Sequence, residues 1–329
     1  MADGGATIKS DVSFSNRWSA ALGLLATALM WATMVPFVAS LLPYFDPYLL
    51  SVLRYSFALP FLVVLIVVLE GGNPFQRGAD WPRLLILGAA MSGFSTFYTL
   101  GILYSDPLTA AVVLSVNPIV AALLSRIMIG TRLTGSVIAA VVLSVVGALL
   151  VVRGGSGGMS GAGMGFRGGE FLLVLAVTCW SWYSLKVQAW FSTMSNLQVT
   201  TLTSATAVFW LTVIYVVFVA LGFSRLPTEL PGIGPFSMLL WLSWAAAGVA
   251  IVFWHYGTSR LGVTVATLYI NLVPVFAFVM SVFMFDIVPN AYQICGGLIV
   301  LAGVVQVQVF RLRSLRHKGI AMRHKGIAK

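Results

Sequence analysis

Long apolar runs, separated by short polar turns, fill almost the whole chain. A membrane-spanning helix needs about 20 mostly apolar residues, and the sequence holds ten runs of that kind. These runs are residues 18–42, 47–69, 82–104, 107–127, 134–152, 170–190, 198–221, 236–258, 262–285 and 290–311. Only 9% of the residues are charged, against about 25% in soluble domains. We therefore expect an all-α integral membrane protein with ten transmembrane helices.

The basic residues are divided unequally between the two sides that ten spans define. The side with both termini collects 15 of the 19 Lys and Arg, the opposite side collects three, and Arg54 falls inside a span. Cytoplasmic loops of membrane proteins carry such an excess. This predicts a multi-pass protein of the cell inner (plasma) membrane with both termini in the cytoplasm. Topology thus explains the net charge of +10, and we expect the lipid bilayer, not nucleic acid, as a partner.

The second half of the sequence repeats the first. An offset of 156 residues aligns spans four and five with spans nine and ten without a gap, and an offset of 149 aligns Trp31 with Trp180. The pairs matched at 156 are Ala110 with Ala266, Pro118 with Pro274, Ser125 with Ser281 and Gly147 with Gly303. Because each half has an odd number of spans, the second half starts from the opposite membrane side. Such inverted repeats are typical of alternating-access transporters, whose substrate site lies near the midplane between the halves.

The repeat divides the chain into five segments. We expect a cytoplasmic N-terminal tail (1–17), a first five-helix repeat (18–152), a glycine-rich periplasmic linker (153–169), a second five-helix repeat (170–311) and a basic cytoplasmic tail (312–329). The tail contains RHKGIA twice, almost back to back. This indicates a duplication, native or appended to the chain, so the tail carries no weight in the fold prediction.

Several sequence motifs resemble those of a known family, and the resemblance covers the whole chain except its tails. They are LMWATMVPFVASLL with its early tryptophan, PYLLSVLRYSFALP in the second span, and the glycine-containing ends VVGALL and VLAGVV. With the five-plus-five layout, these features resemble the drug/metabolite transporter superfamily of the EamA type. The aromatic content and chain size are most similar to the aromatic amino-acid exporters of that family. The glutamate usual in the family after spans four and nine is absent, since Gly130 and Asp286 stand there.

Two prolines lie at matching mid-span positions of spans four and nine. Pro118 and Pro274 each remove a backbone N–H and free a carbonyl one turn earlier. Interrupted helices at corresponding places in two halves point to a transporter binding site, although a simple packing kink is the alternative. Asn117 and Asn271 stand beside these breaks, and each amide could satisfy a freed carbonyl or meet a polar ligand. We predict that the prolines act as gating breaks and the asparagines line the site.

Three polar residues inside spans are further candidates. Arg54 lies roughly 10 Å deep at helical rise, where a charge is costly and indicates a functional site. It could hold a carboxylate, cap carbonyls of a neighbouring helix or extend to Asp46. Lys186 lies near the end of span six and can reach the interface. His255, near the end of span eight, could bond a ligand or be a neutral packed histidine.

The stretch WSWYSLKVQAW at 180–190 places aromatic residues in the middle of span six, whereas interfacial aromatics are found at span ends. Helical spacing puts Trp182, Lys186 and Trp190 on one face. Trp180 and Tyr183 lie on adjoining faces. Aromatic residues at comparable depths in other spans are Trp31, Tyr98 and Tyr269. Packing between helices is the alternative to a cavity lining, and we predict a wide amphipathic cavity for flat, partly polar molecules.

The missing residues exclude several functions. All nine acidic residues map to loops, tails or span ends, which disfavours cation efflux and a carboxylate proton relay. No acid–base pair that would activate a nucleophile and no metal-ligand cluster is evident. We expect no catalytic residues, no metal, no cofactor and no enzyme activity.

These observations predict a transporter that exports amino acids, aromatic and other neutral ones, through a central cavity between the repeats. The predicted cavity-lining residues are Trp31, Arg54, Tyr98, Asn117, Trp180, Tyr183, His255, Tyr269 and Asn271. A nucleotide-sugar or phosphorylated-metabolite antiporter, with Arg54 and Lys186 as anion contacts, is the alternative within transport. An intramembrane enzyme or a scaffold is the alternative from another class.

Overall fold

A computed structural model describes most of the chain. The described residues are 14–71, 80–130, 135–154, 168–191, 193–227, 231–261, 269, 272–286, 288–303, 305 and 306. Within them all regular structure is helical, which confirms the all-α prediction.

The described part of the first half contains seven helices. They are α1 (Phe14–Ala32), α2 (Met34–Leu41), α3 (Pro47–Glu70), α4 (Trp81–Leu103), α5 (Pro107–Leu114), α6 (Asn117–Ile129) and α7 (Gly135–Gly154). The described helices of the second half are α8 (Gly169–Trp190), α9 (Asn196–Ala220), α10 (Ile233–Trp241), α11 (Ala250–Leu261), α12 (Val273–Phe285) and α13 (Ala291–Gly303). A π-helical segment, Leu242–Val249, joins α10 to α11 without a turn.

Seven stretches of the described chain are long and apolar enough to cross a membrane. They are Trp18–Leu41, Pro47–Glu70, Trp81–Leu103, Pro107–Met128, Gly169–Val187, Leu197–Ala220 and Ile233–Trp254, and α12 and α13 are shorter apolar helices. The apolar helices support a multi-pass membrane protein. The count of ten spans, the opposite orientation of the halves and the five-segment division stay predictions.

Aspartates at the span ends start several helices. Asp46, Asp80 and Asp106 are N-caps, and each is followed by a proline in the first turn of its helix. Asp46 Oδ1 accepts from Tyr48 N (2.9 Å) and Asp106 Oδ1 from Thr109 N (2.9 Å). A proline there removes an N–H that would have no intrahelical partner, and the carboxylate satisfies the next ones. These acids therefore have structural roles at the span ends.

The two proline breaks have the same local geometry. In the first half, Val116 N donates three residues back to Val113 O (3.1 Å) before α6 begins. In the second half, Leu272 N donates to Tyr269 O (3.0 Å) before α12 begins. Both pairs are related by the offset of 156 residues. The hydrogen bonds span three residues in place of four, so each chain tightens into one narrow turn where the helix is interrupted.

Helices of the two halves pack across each other. Helix α4 lies against α8 and α9, α1 against α11, and α5 against α12. Glycine permits the closest approaches: an added Cβ on Gly88 would lie 2.2 Å from Thr206 Oγ1, and one on Gly101 would lie 2.7 Å from Leu173 Cγ. Small residues let membrane helices approach closely enough for dense packing. The close contact between the halves at these positions therefore depends on the absence of a side chain at Gly88 and Gly101.

One end of the bundle is closed by a buried apolar cluster, which we call the apolar plug. It lies at the α2–α3 and α4–α5 turns and includes Leu41, Phe45, Leu50 and Ile102. The opposite end contains the start of α9, where Ser195 Oγ donates to Glu70 Oε2 (2.9 Å) at the end of α3. Buried apolar residues are also present at that end, where Leu62 and Ile66 of α3 pack with Leu197 of α9.

Helices α7 and α13 meet backbone to backbone. A Cβ on Gly147 would lie 2.6 Å from Gly296 O, and a Cβ on Gly296 would lie 2.5 Å from Gly147 O. The small residues of these helices therefore pack within the chain.

This contact predicts an asymmetry between two glycines of α7. We expect Gly147→Ala to lower the free energy of unfolding by about 1–3 kcal/mol, because the new methyl group meets backbone that cannot move aside. Gly135 has open space around its Cα, so Gly135→Ala should stay within about 0.5 kcal/mol of the parent. Thermal unfolding in detergent measures both, and equal stabilities would contradict the packing described.

Candidate functional site

A cavity of about 270 Å³ lies between the two halves of the chain. Its aromatic and polar lining residues are Trp31, Arg54, Tyr55, Phe94, Tyr98, Ser115, Asn117, Trp180, Thr200 and Ser204. Five residues predicted from the sequence to line a site are among them: Trp31, Arg54, Tyr98, Asn117 and Trp180. The rest of the lining is mainly aliphatic. The cavity therefore combines ring faces, hydroxyl and amide groups, and one charged group.

The cavity borders the apolar plug at one end and extends away from it. Val35, Tyr98 and Ala111 belong to both the lining and the plug. Thr200 and Ser204 line the cavity in the first turns of α9, which begins at the other end of the bundle. The cavity thus approaches the end of the molecule that lies opposite the plug.

Three rings form a continuous aromatic wall on α4 and α8. The Phe94 centroid lies 5.2 Å from that of Trp180 and 5.5 Å from that of Tyr98, within the range for favourable ring contacts. Tyr183 lies behind this wall. Its ring is 5.5 Å from Trp180 and its hydroxyl shares a 2.9 Å hydrogen bond with Thr203 Oγ1 on α9. Tyr183 is buried, and among the described residues it supports Trp180 without lining the cavity.

The π-helical segment supplies the opposite wall. Leu242, Ala246 and Ala247 line the cavity there. Trp31 Nε1 donates to Ala246 O (2.8 Å), so the indole is fixed across the interface between the halves. At the end of the segment Ala250 N donates five residues back, to Ala245 O. Widened turns of this kind are frequent at functional sites, because the shifted hydrogen bonds leave carbonyls that other groups can reach.

Asn117 connects the first proline break to α8. Ser181 Oγ donates to Asn117 Oδ1 at 2.9 Å, so the amide oxygen is paired across the two halves. Pro118 occupies the second position of α6, and Pro274 occupies the second position of α12 and lines the cavity. Both breaks therefore lie at the level of the cavity.

Arg54 is the one formally charged residue among the described lining residues. Its side chain is 6% exposed, and Nε and Nη1 have no hydrogen-bond partner among the described residues. Its Cζ atom lies 5.7 Å from the centre of the Tyr98 ring. Asp46 is occupied as the cap of α3. A buried guanidinium with free donors thus faces an aromatic cavity.

Lys186 lies on another face of α8. Its Nζ is 5.9 Å from the Trp182 ring centre and 5.1 Å from that of Trp190, which agrees with the predicted shared face. The favourable attraction between an ammonium and an indole face explains the arrangement. Lys186 is not among the described residues that line the cavity.

The remaining predicted site residues are described incompletely. Asn271 and the side chains of Pro118 and His255 lie outside what the structure describes. Tyr269 is half-buried, and its carbonyl accepts the hydrogen bond of the second break.

Several lining residues were not predicted from the sequence. Tyr55 follows Arg54 directly, and Thr200 and Ser204 are four residues apart in a hydroxyl-rich run of α9, so a polar pair at helical spacing inside a span was an available signal. The wall at Leu242–Val249 had none, because its residues are small and apolar.

Comparison with known proteins gives a consistent assignment. The sequence profile of the EamA-like transporter family matches residues 18–153 and 167–308. An uncharacterized transporter of Bacillus subtilis (strain 168), YyaM, is 23% identical over 80% of this chain and 84% of its own length. A probable terminal-alkyne amino-acid exporter of Streptantibioticus cattleyicolor is 22% identical over 86% of this chain and 91% of its own.

A solved crystal structure has the same fold. It superposes with a TM-score of 0.65 at 18% identity and covers 90% of this chain and 98% of that chain. At this identity the likeness concerns the fold alone.

The cavity wall predicts a difference in reactivity between two alanines. Ala247 lines the cavity, whereas Ala250 is fully buried and not part of the described lining. In a variant without Cys179 and Cys295, we expect Ala247→Cys to react with a small membrane-impermeant methanethiosulfonate reagent and Ala250→Cys to stay unmodified. Mass spectrometry of the intact protein gives the modified fraction. Equal labelling of both cysteines would contradict the wall described.

Proposed function

The chain belongs to the EamA-like transporter family, and from this membership we propose that it exports amino acids, aromatic and other neutral ones, by alternating access to the central cavity. It is a membrane transporter of that family. The substrate class and the direction of transport are the proposal.

The observation that carries the proposal is the cavity between the halves. Its volume of about 270 Å³ is near the lower limit of small-molecule pockets, about 300–1,000 Å³. This suits a molecule of amino-acid size. The wall of Phe94, Tyr98 and Trp180 offers ring faces to an aromatic side chain. Arg54 and the hydroxyl group of Ser204 offer donors to its polar end.

One relative supports the substrate class. The Streptantibioticus cattleyicolor protein is named as a probable amino-acid exporter, and an exporter for aromatic amino acids is what the sequence resemblance implied. A ring-lined cavity favours the aromatic members of the class. Weak binding also suits an exporter, because the substrate must be released on the far side.

The two helix breaks supply the motion in this proposal. Pro118 and Pro274 lie at repeat-related positions with matching hydrogen bonds at Val116 and Leu272. We propose that the halves are inverted repeats that rock about the cavity, with the breaks as hinges. Hinges at matched positions would let the two halves exchange conformations with each other.

The proposal includes an orientation. The excess of Lys and Arg on the side of the termini favours an inner (plasma) membrane protein with both termini in the cytoplasm. We expect a fluorescent protein fused after Lys329 to be bright and a phosphatase fused there to be inactive, because the phosphatase folds only outside the cytoplasm. An active phosphatase fusion together with a fluorescent-protein fusion that does not fluoresce would contradict this orientation.

A nucleotide-sugar or phosphorylated-metabolite antiporter remains the second candidate, favoured by the free donors of Arg54. Lys186, the second anion contact in that alternative, packs on Trp182 and Trp190. A single guanidinium and a small cavity fit a doubly charged phosphate less well than a carboxylate.

The aromatic wall predicts which tryptophan of α8 matters for transport. In proteoliposomes preloaded with unlabelled phenylalanine, we expect uptake of labelled phenylalanine by counterflow. Trp180→Ala should raise the half-saturating concentration at least about tenfold, since a stacking partner is lost. Trp182→Ala is the matched control, because Trp182 lies on the face with Lys186.

Unlabelled tyrosine, tryptophan and a sugar phosphate are each tested as competitors for the uptake of labelled phenylalanine. Inhibition by the two amino acids, together with a loss of affinity in Trp180→Ala that Trp182→Ala does not show, supports the proposal. Exchange of the sugar phosphate without phenylalanine uptake would overturn the substrate class and keep the transporter.

A further inference from the structure

We propose that the substrate's carboxylate, bound to Arg54, is the group this cavity requires, and that its amino group is dispensable. The site would then accept aromatic and aliphatic monocarboxylic acids, including 2-oxo acids, and reject the corresponding amines. This inference rests on the proposed function in one respect, that the cavity described is the transport site.

Arg54 is a buried cation with donors left unsatisfied by the described residues. Its side chain is 94% removed from solvent, and two of its three nitrogens, Nε and Nη1, have no partner among the described residues. A guanidinium stays protonated in proteins, so burial cannot neutralise it. A buried charge with free donors is unfavourable until an acceptor completes it. The site therefore calls for an anionic acceptor.

Among the described residues no carboxylate forms an ion pair with Arg54, although Glu170 at the start of α8 is buried with Oε2 unpartnered. Asp46 caps α3, Asp106 caps α5, and Glu70 accepts from Ser195. The ion pair recorded within the described part of the chain joins Arg83 to Asp80, at 3.2 Å. The cavity lining described contains no carboxylate. The missing acceptor is therefore best supplied by the ligand.

The geometry and charge of Arg54 indicate which acceptor fits. A planar guanidinium matches a carboxylate through two parallel hydrogen bonds. A single positive charge balances a monoanion, and a phosphate dianion would leave one charge uncompensated in a mainly apolar cavity. The adjoining rings of Phe94 and Trp180 and the methyl and methylene groups around them favour an apolar remainder. These features together describe a monocarboxylate with an aromatic or aliphatic group.

The described cavity offers little to the amino group of a substrate. An ammonium in a membrane protein is stabilised by a carboxylate or by an aromatic face. The described lining lacks the carboxylate, the Tyr98 face is already in contact with Arg54, and in the proposed function the faces of Phe94 and Trp180 are taken by the substrate's own ring. Arg54 itself repels a second cation, the more strongly because little water screens the charges. Binding of an amine without a carboxylate would therefore be unfavourable. Removing the amino group from an amino acid would change the free energy of binding only a little.

The experiment compares four compounds on the purified full-length protein. They are phenylalanine, phenylpyruvate, 3-phenylpropanoate and phenethylamine, which differ in one polar group at a time. Each compound is tested as an inhibitor of the counterflow of labelled phenylalanine. We expect the half-inhibitory concentrations of the two acids without an amino group to lie within about threefold of that of unlabelled phenylalanine. The half-inhibitory concentration of phenethylamine should be at least about a hundredfold higher. Thermal stabilisation of the protein in detergent by each compound is measured alongside, so that binding is seen without transport.

Two variants of Arg54 and one control separate a binding role from a structural one. Arg54→Gln should weaken all three carboxylates by about ten- to a hundredfold, as expected for a lost charge-assisted hydrogen bond, and should narrow their advantage over phenethylamine. Arg54→Lys should recover part of the lost affinity for carboxylates, because the positive charge remains while the two parallel hydrogen bonds of the guanidinium are lost. Lys186→Gln, the matched removal of a basic residue on α8, should behave as the parent.

The outcomes are distinguishable. Phenylalanine transport without competition by phenylpyruvate, or equal competition by phenethylamine, overturns this inference and leaves the proposed function intact. Stabilisation by 3-phenylpropanoate that disappears in Arg54→Gln, with no amino-acid counterflow, supports the inference and overturns the proposed substrate. If Arg54→Gln and Arg54→Lys melt earlier than the parent and keep the parent's discrimination between acids and amine, Arg54 is structural and the inference fails.

Discussion

Every backbone N–H and C=O of a chain in lipid must find a hydrogen-bond partner within the protein. The site in this structure lies where the chain meets that requirement by means other than a regular α-helix. Most of the described chain meets it with plain α-helix. Within the described spans, four places do not: the turn at Thr33 between α1 and α2, the turns before α6 and α12, and the π-helical segment. All four lie at the cavity, where protein groups or a hydrated ligand can reach the displaced carbonyls. The Trp31 indole bonded to Ala246 O is the direct example. The departures from regular helix therefore mark the site.

The same constraint explains how closely the halves pack. Because the helices satisfy their own backbones, they can meet face to face where both surfaces are smooth. Glycines provide such surfaces at Gly88 against Thr206 and at Gly147 against Gly296. The cavity forms where rings replace these small residues and hold the helices apart. Small residues and aromatic residues thus divide the interface between the halves into closed and open parts.

The sequence predicts the class, the helices and half of the site for identifiable reasons. Long apolar runs bounded by Asp-Pro turns define where spans begin, and repeat-related prolines mark the breaks. Trp31, Arg54 and Trp180 stand out because each is unusual at mid-span. Helix rotation is not encoded locally, so Tyr183 was expected at the cavity and instead bonds Thr203 behind it. The wall at Ala246 and Ala247 depends on a widened turn stabilised by contacts with α1 and α3, which no short sequence window contains.

The apolar plug has a consequence for turnover. A transporter that exposes this cavity on the far side must separate Leu41, Phe45, Leu50 and Ile102, and apolar surface that parts from its neighbours loses favourable contacts. The height of that barrier depends on these four side chains, none of which is among the described lining residues of the cavity. In the proposed alternating-access cycle, speed and affinity therefore depend largely on different residues, so substitutions at these four positions could make the protein faster or slower while its choice of substrate stays the same.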